Sequence, residues 1–181
     1  RMTGRPGRGA VIGAGPIGCE LAQAFSRLGS EVHILERMDQ ILTREDPDAA
    51  RIVQDALVRE GVEMIFECNL DRVERRGSER VIHLSCPKKG SRELVVDEII
   101  VGAGRAPNVE NMGLETVGVD FDSRNGVKVD DSLQTTNSRI WAVGDVCMRW
   151  KFTHAADAAA KIVVQNALFA IGPIGRKKLS A

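Results

Sequence analysis

The sequence predicts an α/β fold built on a parallel sheet, with a three-stranded antiparallel meander before the last parallel strand. Three observations indicate this fold. Apolar runs alternate with amphipathic segments over residues 10–66, a glycine-rich turn follows the first run, and short strand-like runs begin after residue 67. Alternating strands and helices of this kind favour a parallel sheet with right-handed crossovers.

The first half of the chain contains three predicted strands and two predicted helices. The strands are expected at 10–12, 32–35 and 62–66, where apolar residues cluster. The first helix should run from Pro16 to about Leu28, because proline suits the first helical turn and Gly29 ends the pattern. The second should start at Asp46 as N-cap, with Pro47 next, and end before Gly61. The faces expected to pack on the sheet are Ile17, Leu21, Ala24 and Leu28 in the first helix, and Ile52, Val53, Ala56 and Leu57 in the second.

The pattern changes to short alternating runs after Glu67. Runs at 70–74, 80–85 and 93–96 are separated by turn residues at 76–78 and 87–91, which predicts the antiparallel meander. An apolar run at 98–101 then returns to the parallel sheet. It leads into a loop rich in glycine and proline, and loops at the carboxyl ends of parallel strands are where open α/β sheets bind ligands.

A second, smaller unit is predicted from residue 114 on. It should contain an edge strand at 126–130, an apolar strand at 140–145 and a helix at 155–169 with Thr153 as N-cap. At about seventy residues this piece has little surface to bury as an independent domain. The helix residues expected to face the core are Ala159, Ile162, Val163, Ala167 and Ala170.

A glycine-rich turn and a later carboxylate form the most informative motif. Gly13, Gly15 and Gly18 have the spacing Gly-x-Gly-x-x-Gly, and Glu36 ends the second strand. The first glycine permits the tight turn, the second leaves room for a pyrophosphate, and the third lets the helix lie close to the strand. The helix amides then face the phosphates, and the carboxylate can accept both ribose hydroxyls of an adenosine. The alternative is a glycine-rich turn in another kind of α/β protein.

Two further motifs make a family resemblance specific. Residues 104–108 have the pattern Gly-Arg-x-Pro-Asn, and residues 135–145 have the pattern Thr-Thr-Asn-x-x-Ile-x-Ala-x-Gly-Asp. With the glycine motif before them, they make residues 9–170 resemble the flavin-dependent pyridine nucleotide–disulfide oxidoreductases. That family includes dihydrolipoamide dehydrogenase, mercuric reductase and glutathione reductase. Residues 44–47 and 152–156 are most similar to the first two of these.

The resemblance implies a Rossmann-like NAD(P)-binding domain over 9–113 and an incomplete C-terminal part of the FAD-binding domain over 114–181. It also implies roles for the motif residues. Glu20 on the first helix would lie near the contact of flavin and nicotinamide, and is the one catalytic candidate. The residues it implies for cofactor binding are Gly13, Gly15, Pro16, Ile17 and Gly18 at the pyrophosphate, Glu36 and Arg37 at the adenosine ribose, Gly102, Gly104 and Arg105 towards the nicotinamide, and Asp145 at the flavin.

Simpler roles stay open for several of these residues. Glu20 is equally an exposed helix carboxylate, Arg105 a surface or loop-fixing residue, and Asp145 a turn cap. His154 is expected to be a structural donor rather than a base. Pro16 excludes the aromatic gate that some members of the family place at this position.

Charge at the ribose site favours NAD(H) over NADP(H). A carboxylate at Glu36 would repel a 2′-phosphate, at a cost of several kcal/mol for charges ~4 Å apart at an effective dielectric constant of ~20. Arg37 and Arg44 would offset part of this repulsion.

Several features normal for the family are not found in this sequence. There is a single glycine motif, no close cysteine pair for electron exchange with the flavin, and no His–Glu pair for a partner subunit. We therefore expect an internal fragment of a homodimeric enzyme that passes hydride from the nicotinamide to FAD, and then to a disulfide or similar acceptor. The chain alone is expected to bind NAD(H) without competent reductase activity. Apolar surface exposed around 140–143 is expected to cause either self-association or disorder of the residues from about Leu114 on. The alternative is a stand-alone, non-catalytic NAD(H)-binding module.

Composition narrows the partners and the compartment. The chain has 25 basic and 25 acidic residues, and this balance argues against a nucleic-acid partner. No apolar run approaches the length of a membrane span, which argues against a membrane partner. No metal site is expected. The four cysteines are dispersed, and we expect reduced, mostly structural thiols in a cytoplasmic protein. They are Cys19, Cys68, Cys86 and Cys147.

Overall fold

The computed structural model describes residues 4–88, 90–169 and 175–179. The chain divides into two compact units, one up to residue 104 and one from residue 105 on. This division lies slightly before the predicted boundary after residue 113, and the assignment of the units to nicotinamide and flavin stays a prediction. Ala170 lies outside the described residues. Among those residues, no helix is long and apolar enough to cross a membrane.

The first unit combines a parallel sheet, two helices and the meander, as predicted. In chain order its elements are β1 (Arg8–Ile12), α1 (Pro16–Arg27), β2 (Glu31–Leu35), α2 (Pro47–Arg59), β3 (Glu63–Ile65), β4 (Asn69–Arg76), β5 (Glu79–Cys86), β6 (Gly90–Val96) and β7 (Glu98–Val101). The parallel sheet has the order β3-β2-β1-β7, and the antiparallel sheet has the order β4-β5-β6. Strands of the parallel sheet therefore end at one common edge, after Ile12, Leu35, Ile65 and Val101.

Side chains on the two faces of the parallel sheet enter two separate cores. On the helix side, Val11, Val32 and Ile34 pack with residues of α1 and α2. On the other side, Ala10 and Leu35 pack with residues of the meander. The strands are hydrophobic on both faces because both are covered, as is usual for a parallel sheet.

The predicted contact face of α1 is wrong by one position. Ile17 and Leu28 are 43% and 67% exposed, and the buried residues are Gly18, Cys19 and Ala22. The helix lies so close to the turn at Gly18 that a β-carbon there would collide with the Gly13 carbonyl oxygen, and the further contacts are made by Cys19, Ala22 and the half-buried Phe25. Hydrophobic periodicity identified the helix correctly but assigned the wrong stripe.

The predicted core face of α2 is only partly correct. Leu57 is buried, but Ile52 is 71% exposed and Val53 is 38% exposed. The buried stripe is narrow and consists of Ala50 and Leu57, seven residues apart. The start of this helix agrees with the prediction, since the Asp46 side chain accepts a hydrogen bond from the Asp48 amide at 2.9 Å.

The expectation of four reduced thiols is wrong for two of them, because Cys68 and Cys86 form a disulfide. A bulge between Leu70 and Arg72 shifts the pairing of β4 with β5, so that Asn69 lies opposite Ser85. This register brings Cys68, just before β4, opposite Cys86 at the end of β5. Without the bulge the register would differ by one residue and the two cysteines would not be opposed.

The second unit is small and contains little regular structure apart from one helix. Its elements are the antiparallel pair β8 (Phe121–Asp122) and β9 (Gly126–Val127), and α3 (Thr153–Leu168). Val109, Val119, Val127 and Ala142 form one buried cluster, and Leu133, Met148 and Ala159 form another. Strand β9 is shorter than the predicted 126–130.

The strand predicted at 140–145 is not formed in the described part of the chain. Trp141 makes a single isolated bridge with Gln134, and Gly144 begins a 3₁₀ turn with φ of +81°. An apolar run becomes a strand only when a neighbouring strand satisfies its backbone hydrogen-bonding groups. Among the described residues of this unit, this run is offered only the bridge between Trp141 and Gln134. Ile140 and Val143 pack against the two clusters and are half-buried, so the expected exposure of this run is wrong. Self-association of the chain stays a prediction.

Helix α3 begins at Thr153, the residue predicted to be its N-cap. Thr153 is the first helical residue, and the N-cap position is Phe152, without a side-chain hydrogen bond. Ala167 is exposed, against the prediction, and Asn166 is buried instead. The Asn166 amide donates to the carbonyls of Ser132 and Lys177 at 3.1 and 2.8 Å, which satisfies its polar group inside the unit.

Gly18→Ala is expected to destabilise the chain, whereas Gly15→Ala is not. A β-carbon at Gly18 would collide with the carbonyl oxygen of Gly13, a backbone atom, while one at Gly15 has no atom within 4 Å. We expect Gly18→Ala to lower the free energy of unfolding by about 2 kcal/mol or more, and Gly15→Ala to change it by less than ~0.5 kcal/mol. Urea denaturation of both variants measures the difference, and equal midpoints would contradict the close packing at Gly18.

Candidate functional site

The glycine turn lies at the carboxyl edge of the parallel sheet. Gly13 has φ of +97°, a conformation that other residues rarely adopt, and a β-carbon there would lie 3.0 Å from the backbone of Gly102 and Ala103. A β-carbon at Gly102 would lie 3.5 Å from the backbone of Gly18. The structure therefore brings Gly13 and Gly18 of the glycine motif together with Gly102, from the loop after β7, in one closely packed group.

Backbone hydrogen bonds continue from strand to strand along this edge. The Gly13 amide donates to the Leu35 carbonyl at 2.9 Å, and the Gly102 amide donates to the Ile12 carbonyl at 2.8 Å. The Glu36 amide donates to the carbonyl of Ile65 at 2.9 Å. These bonds fix the turn between β1 and α1 relative to the ends of the neighbouring strands.

The N-terminus of α1 is open to an anion. Gly15 is the N-cap and contributes no side-chain hydrogen bond, and Pro16 occupies the first helical position. A β-carbon at Gly15 would meet nothing within 4 Å, so the space beside its backbone is free in the described structure. Ile17 is 43% exposed at the same end. Uncapped helix amides and the positive end of the helix dipole favour a phosphate at such a place.

Glu36 points back at the glycine turn. One carboxylate oxygen accepts a hydrogen bond from the Ala14 amide at 2.9 Å, and the other accepts from the Arg37 amide at 2.7 Å and the Met38 amide at 3.2 Å. The side chain is half-buried, whereas the Arg37 side chain is exposed. Three backbone donors hold the carboxylate in one orientation beside the start of α1.

A groove of about 620 Å³ extends from Glu36 towards the meander. Its lining residues are Glu36, Arg37, Met38, Glu67, Asn69 and Pro87. Glu36 and Arg37 were predicted from the sequence, whereas Glu67, Asn69 and Pro87 were not. These three residues follow β3, begin β4 and follow β5, and only the register of the meander brings them together. The sequence signal that could have suggested them is the turn composition at 87–91.

Glu20 and Cys19 lie on the first part of α1. Glu20 is exposed. Cys19 is buried, and its thiol donates to the Ala14 carbonyl at 3.4 Å. Burial raises the pKa of Cys19 to about 11, with smaller contributions from the charges of Glu20 and Glu36. This thiol is therefore protonated near neutral pH and is a poor nucleophile.

Arg105 and Asp145 form an ion pair in the second unit. The Arg105 guanidinium lies 3.0 Å from the Asp145 carboxylate, with both side chains about half exposed, and also donates to the Lys151 carbonyl at 3.2 Å. The Lys151 ammonium returns a hydrogen bond to the Arg105 carbonyl at 3.2 Å. A pair this exposed contributes little to stability, so its effect is to orient the two loops that carry it. The described residues contain no group of His, Cys, Asp and Glu side chains arranged to hold a metal ion.

Comparison with known proteins gives one family. Residues 2–160 match the family model described as pyridine nucleotide-disulphide oxidoreductase. A mercuric reductase from Lysinibacillus sphaericus is 34% identical over 173 residues, which cover 95% of this chain and 31% of that protein. A dihydrolipoyl dehydrogenase from Bacillus subtilis is 37% identical over 148 residues, which cover 81% of this chain and 31% of that protein.

A solved structure agrees with this result. The HOCl-induced flavoprotein disulfide reductase RclA from Escherichia coli superposes with a TM-score of 0.86 at 30% identity, over 98% of this chain and 39% of that one. The chain thus spans about a third of the length of the curated relatives it matches. The family model, the relatives and the fold agree, and the chain belongs to the pyridine nucleotide-disulphide oxidoreductase family.

Proposed function

We propose that the first unit binds NAD(H) as the nicotinamide-binding part of a flavin-dependent disulfide oxidoreductase. The observation that carries this proposal is the hydrogen bond from the Ala14 amide to the Glu36 carboxylate. It joins the two halves of the predicted motif, the glycine turn and the acidic residue, in one place. When bound, the nicotinamide supplies a hydride and FAD accepts it. The residues of this chain bind and orient these groups.

The start of α1 fits the pyrophosphate of a dinucleotide. Gly15 leaves space beside its backbone, and the first turn of the helix has no side-chain cap that would compete for its amides. Pro16 at the first helical position removes an N–H that would have had no partner in the helix. Gly13 and Gly18 keep the turn and the helix close to the sheet, and so place the amides at its edge.

The Glu36 carboxylate fits the adenosine ribose. Its backbone donors fix its position before any ligand arrives, which lowers the entropic cost of binding. An ionised carboxylate only accepts hydrogen bonds, so it suits a pair of ribose hydroxyls and opposes a 2′-phosphate. Arg37 is exposed beside it and offsets part of this opposition. We therefore propose NAD(H) as the preferred cofactor over NADP(H).

The second unit supports a role at the flavin. Asp145 follows the Gly144 turn, and Arg105 holds its carboxylate in place. Helix α3 starts nearby in sequence without a side-chain cap, so its amides are available to a group that gains negative charge. These features fit the predicted contacts of Asp145 with FAD. We propose that the parent enzyme is a homodimer that passes electrons on to a disulfide or similar acceptor.

Gly15→Ala is expected to weaken NADH binding at least about tenfold, because its β-carbon would occupy the space proposed for the pyrophosphate. The matched control is Gly175→Ala, at another glycine whose β-carbon would have no neighbour within 4 Å. Isothermal titration with NADH measures both. Unchanged affinity in Gly15→Ala would place the pyrophosphate elsewhere.

Glu36→Gln is expected to reduce the preference for NADH over NADPH. The amide keeps an oxygen for the Ala14 amide but removes the negative charge, so we expect NADH affinity to fall about tenfold and NADPH affinity to rise. Titration of each cofactor into the wild type and the variant gives the ratio of dissociation constants.

The control for this experiment is Glu45→Gln, which removes an exposed carboxylate. Tighter binding of NADPH than NADH by the wild type would overturn the assignment of Glu36.

A further inference from the structure

The Cys68–Cys86 disulfide lies next to the groove that begins at Glu36. Its four sequence neighbours are Glu67, Asn69, Ser85 and Pro87, and three of these, Glu67, Asn69 and Pro87, line that groove. The bond therefore links the two segments that form one wall of the groove. It is separate from the electron-exchanging cysteine pair that the family resemblance implies, because it lies in the meander of the first unit.

The segment before Cys68 is held in an unfavourable backbone conformation. Glu67 has φ of +56°, in the left-handed region that residues with side chains rarely adopt. Two contacts besides the disulfide hold it there. The Glu67 amide donates to the Met38 carbonyl at 3.2 Å, and the Lys88 ammonium contacts the Glu67 carboxylate at 2.7 Å. The Glu67–Lys88 ion pair is exposed and weak, and the one covalent link close to Glu67 among the described residues is the disulfide at the next residue, Cys68.

The disulfide can be reached by a small reductant. Cys86 lines a second cavity, of about 230 Å³, together with Phe66, Glu67 and Lys88. Cys86 is only 5% exposed, so this cavity is the side from which a small thiol would approach the bond. The charged side chains of this cavity are Asp39, Glu67 and Lys88, and the Lys88 ammonium is paired with the Glu67 carboxylate at 2.7 Å.

We propose that the Cys68–Cys86 pair is a thiol–disulfide switch that controls the adenosine end of the NAD(H) groove. This inference rests on the proposed function of the first unit. In the oxidised state the bond fixes Glu67 and Asn69 against Pro87, and the wall is preformed. In the reduced state Glu67 is free to relax from its left-handed conformation, and the binding-competent wall is populated only part of the time.

The redox step exchanges the protein pair with a low-molecular-weight disulfide. A thiolate of one cysteine attacks the small disulfide, forms a mixed disulfide and releases one small thiol. The thiolate of the other cysteine then attacks the mixed disulfide at the protein sulfur and releases the second small thiol. The protein loses two electrons and two protons in total, and the small disulfide gains them.

The test compares NADH binding by the whole chain in its two redox states. The chain is equilibrated with oxidised or reduced glutathione, its free thiols are alkylated for mass spectrometry, and NADH is titrated into each sample before alkylation. Mass spectrometry assigns each label to its peptide, so alkylation of the pair is distinguished from that of Cys19 and Cys147, whose pKa burial raises to about 11. We expect labelling at Cys68 and Cys86 only after reduction, and about fivefold or more weaker NADH binding in the reduced state.

Two variants complete the experiment. Cys147→Ser removes a thiol outside the pair and should respond to glutathione as the wild type does. The double variant Cys68→Ser with Cys86→Ser should bind NADH as the reduced wild type does, in either buffer. Hydrogen exchange at residues 66–69 should be faster in the double variant and in the reduced wild type than in the oxidised wild type.

The outcomes separate the switch from the function on which it rests. Equal NADH binding in the two states overturns the switch and leaves the proposed function in place. No NADH binding in either state overturns the proposed function, and the switch with it. Labelling of both cysteines under oxidising conditions shows that the pair does not form, and also overturns the switch.

Discussion

The close approach of three backbones at the carboxyl edge of the parallel sheet determines the arrangement of the first unit. At Gly13 the chain turns out of β1. Gly18, in the first turn of α1, packs directly against Gly13, and Gly102, which follows β7, packs against Gly18. A side chain on either of the first two residues would meet backbone atoms, which cannot move aside without moving a strand or a helix. The contact is therefore a steric requirement on the chain rather than one favourable interaction among many.

The position of the site follows from this contact. Because α1 starts at the sheet edge, its first amides lie beside the end of β2, where Glu36 can accept a hydrogen bond from the Ala14 amide. The helix contacts the sheet through Cys19 and Ala22 for the same reason, and Ile17 and Leu28 are left towards solvent. One packing constraint thus accounts for the orientation of the carboxylate, the open helix terminus and the exposed Ile17.

Local patterns were sufficient to predict the elements of the first unit, the meander and the turn at Gly13. They failed where the outcome depends on a neighbour. The stripe of α1 that packs was misplaced because periodicity does not report how closely a helix approaches its sheet. The run at 140–143 has the composition of a strand, yet a strand also needs a partner. Glu67, Asn69 and Pro87 join the groove through the pairing of β4 with β5, which no single segment encodes.

The bulge in β4 has a consequence for comparing this chain with other sequences. Asp71 is the extra residue, and its carboxylate accepts a hydrogen bond from the Ser85 hydroxyl at 2.8 Å, which fixes the irregularity in place. Side chains alternate between the two faces of a strand. One inserted residue therefore shifts the register by one and reverses the face for every position between the bulge and the end of the hairpin. Two cysteines at the same separation in a homologue with a regular hairpin would face different neighbours. The spacing of two cysteines is therefore not sufficient to infer a disulfide in a homologue. The lengths of the two strands of the hairpin must be compared as well.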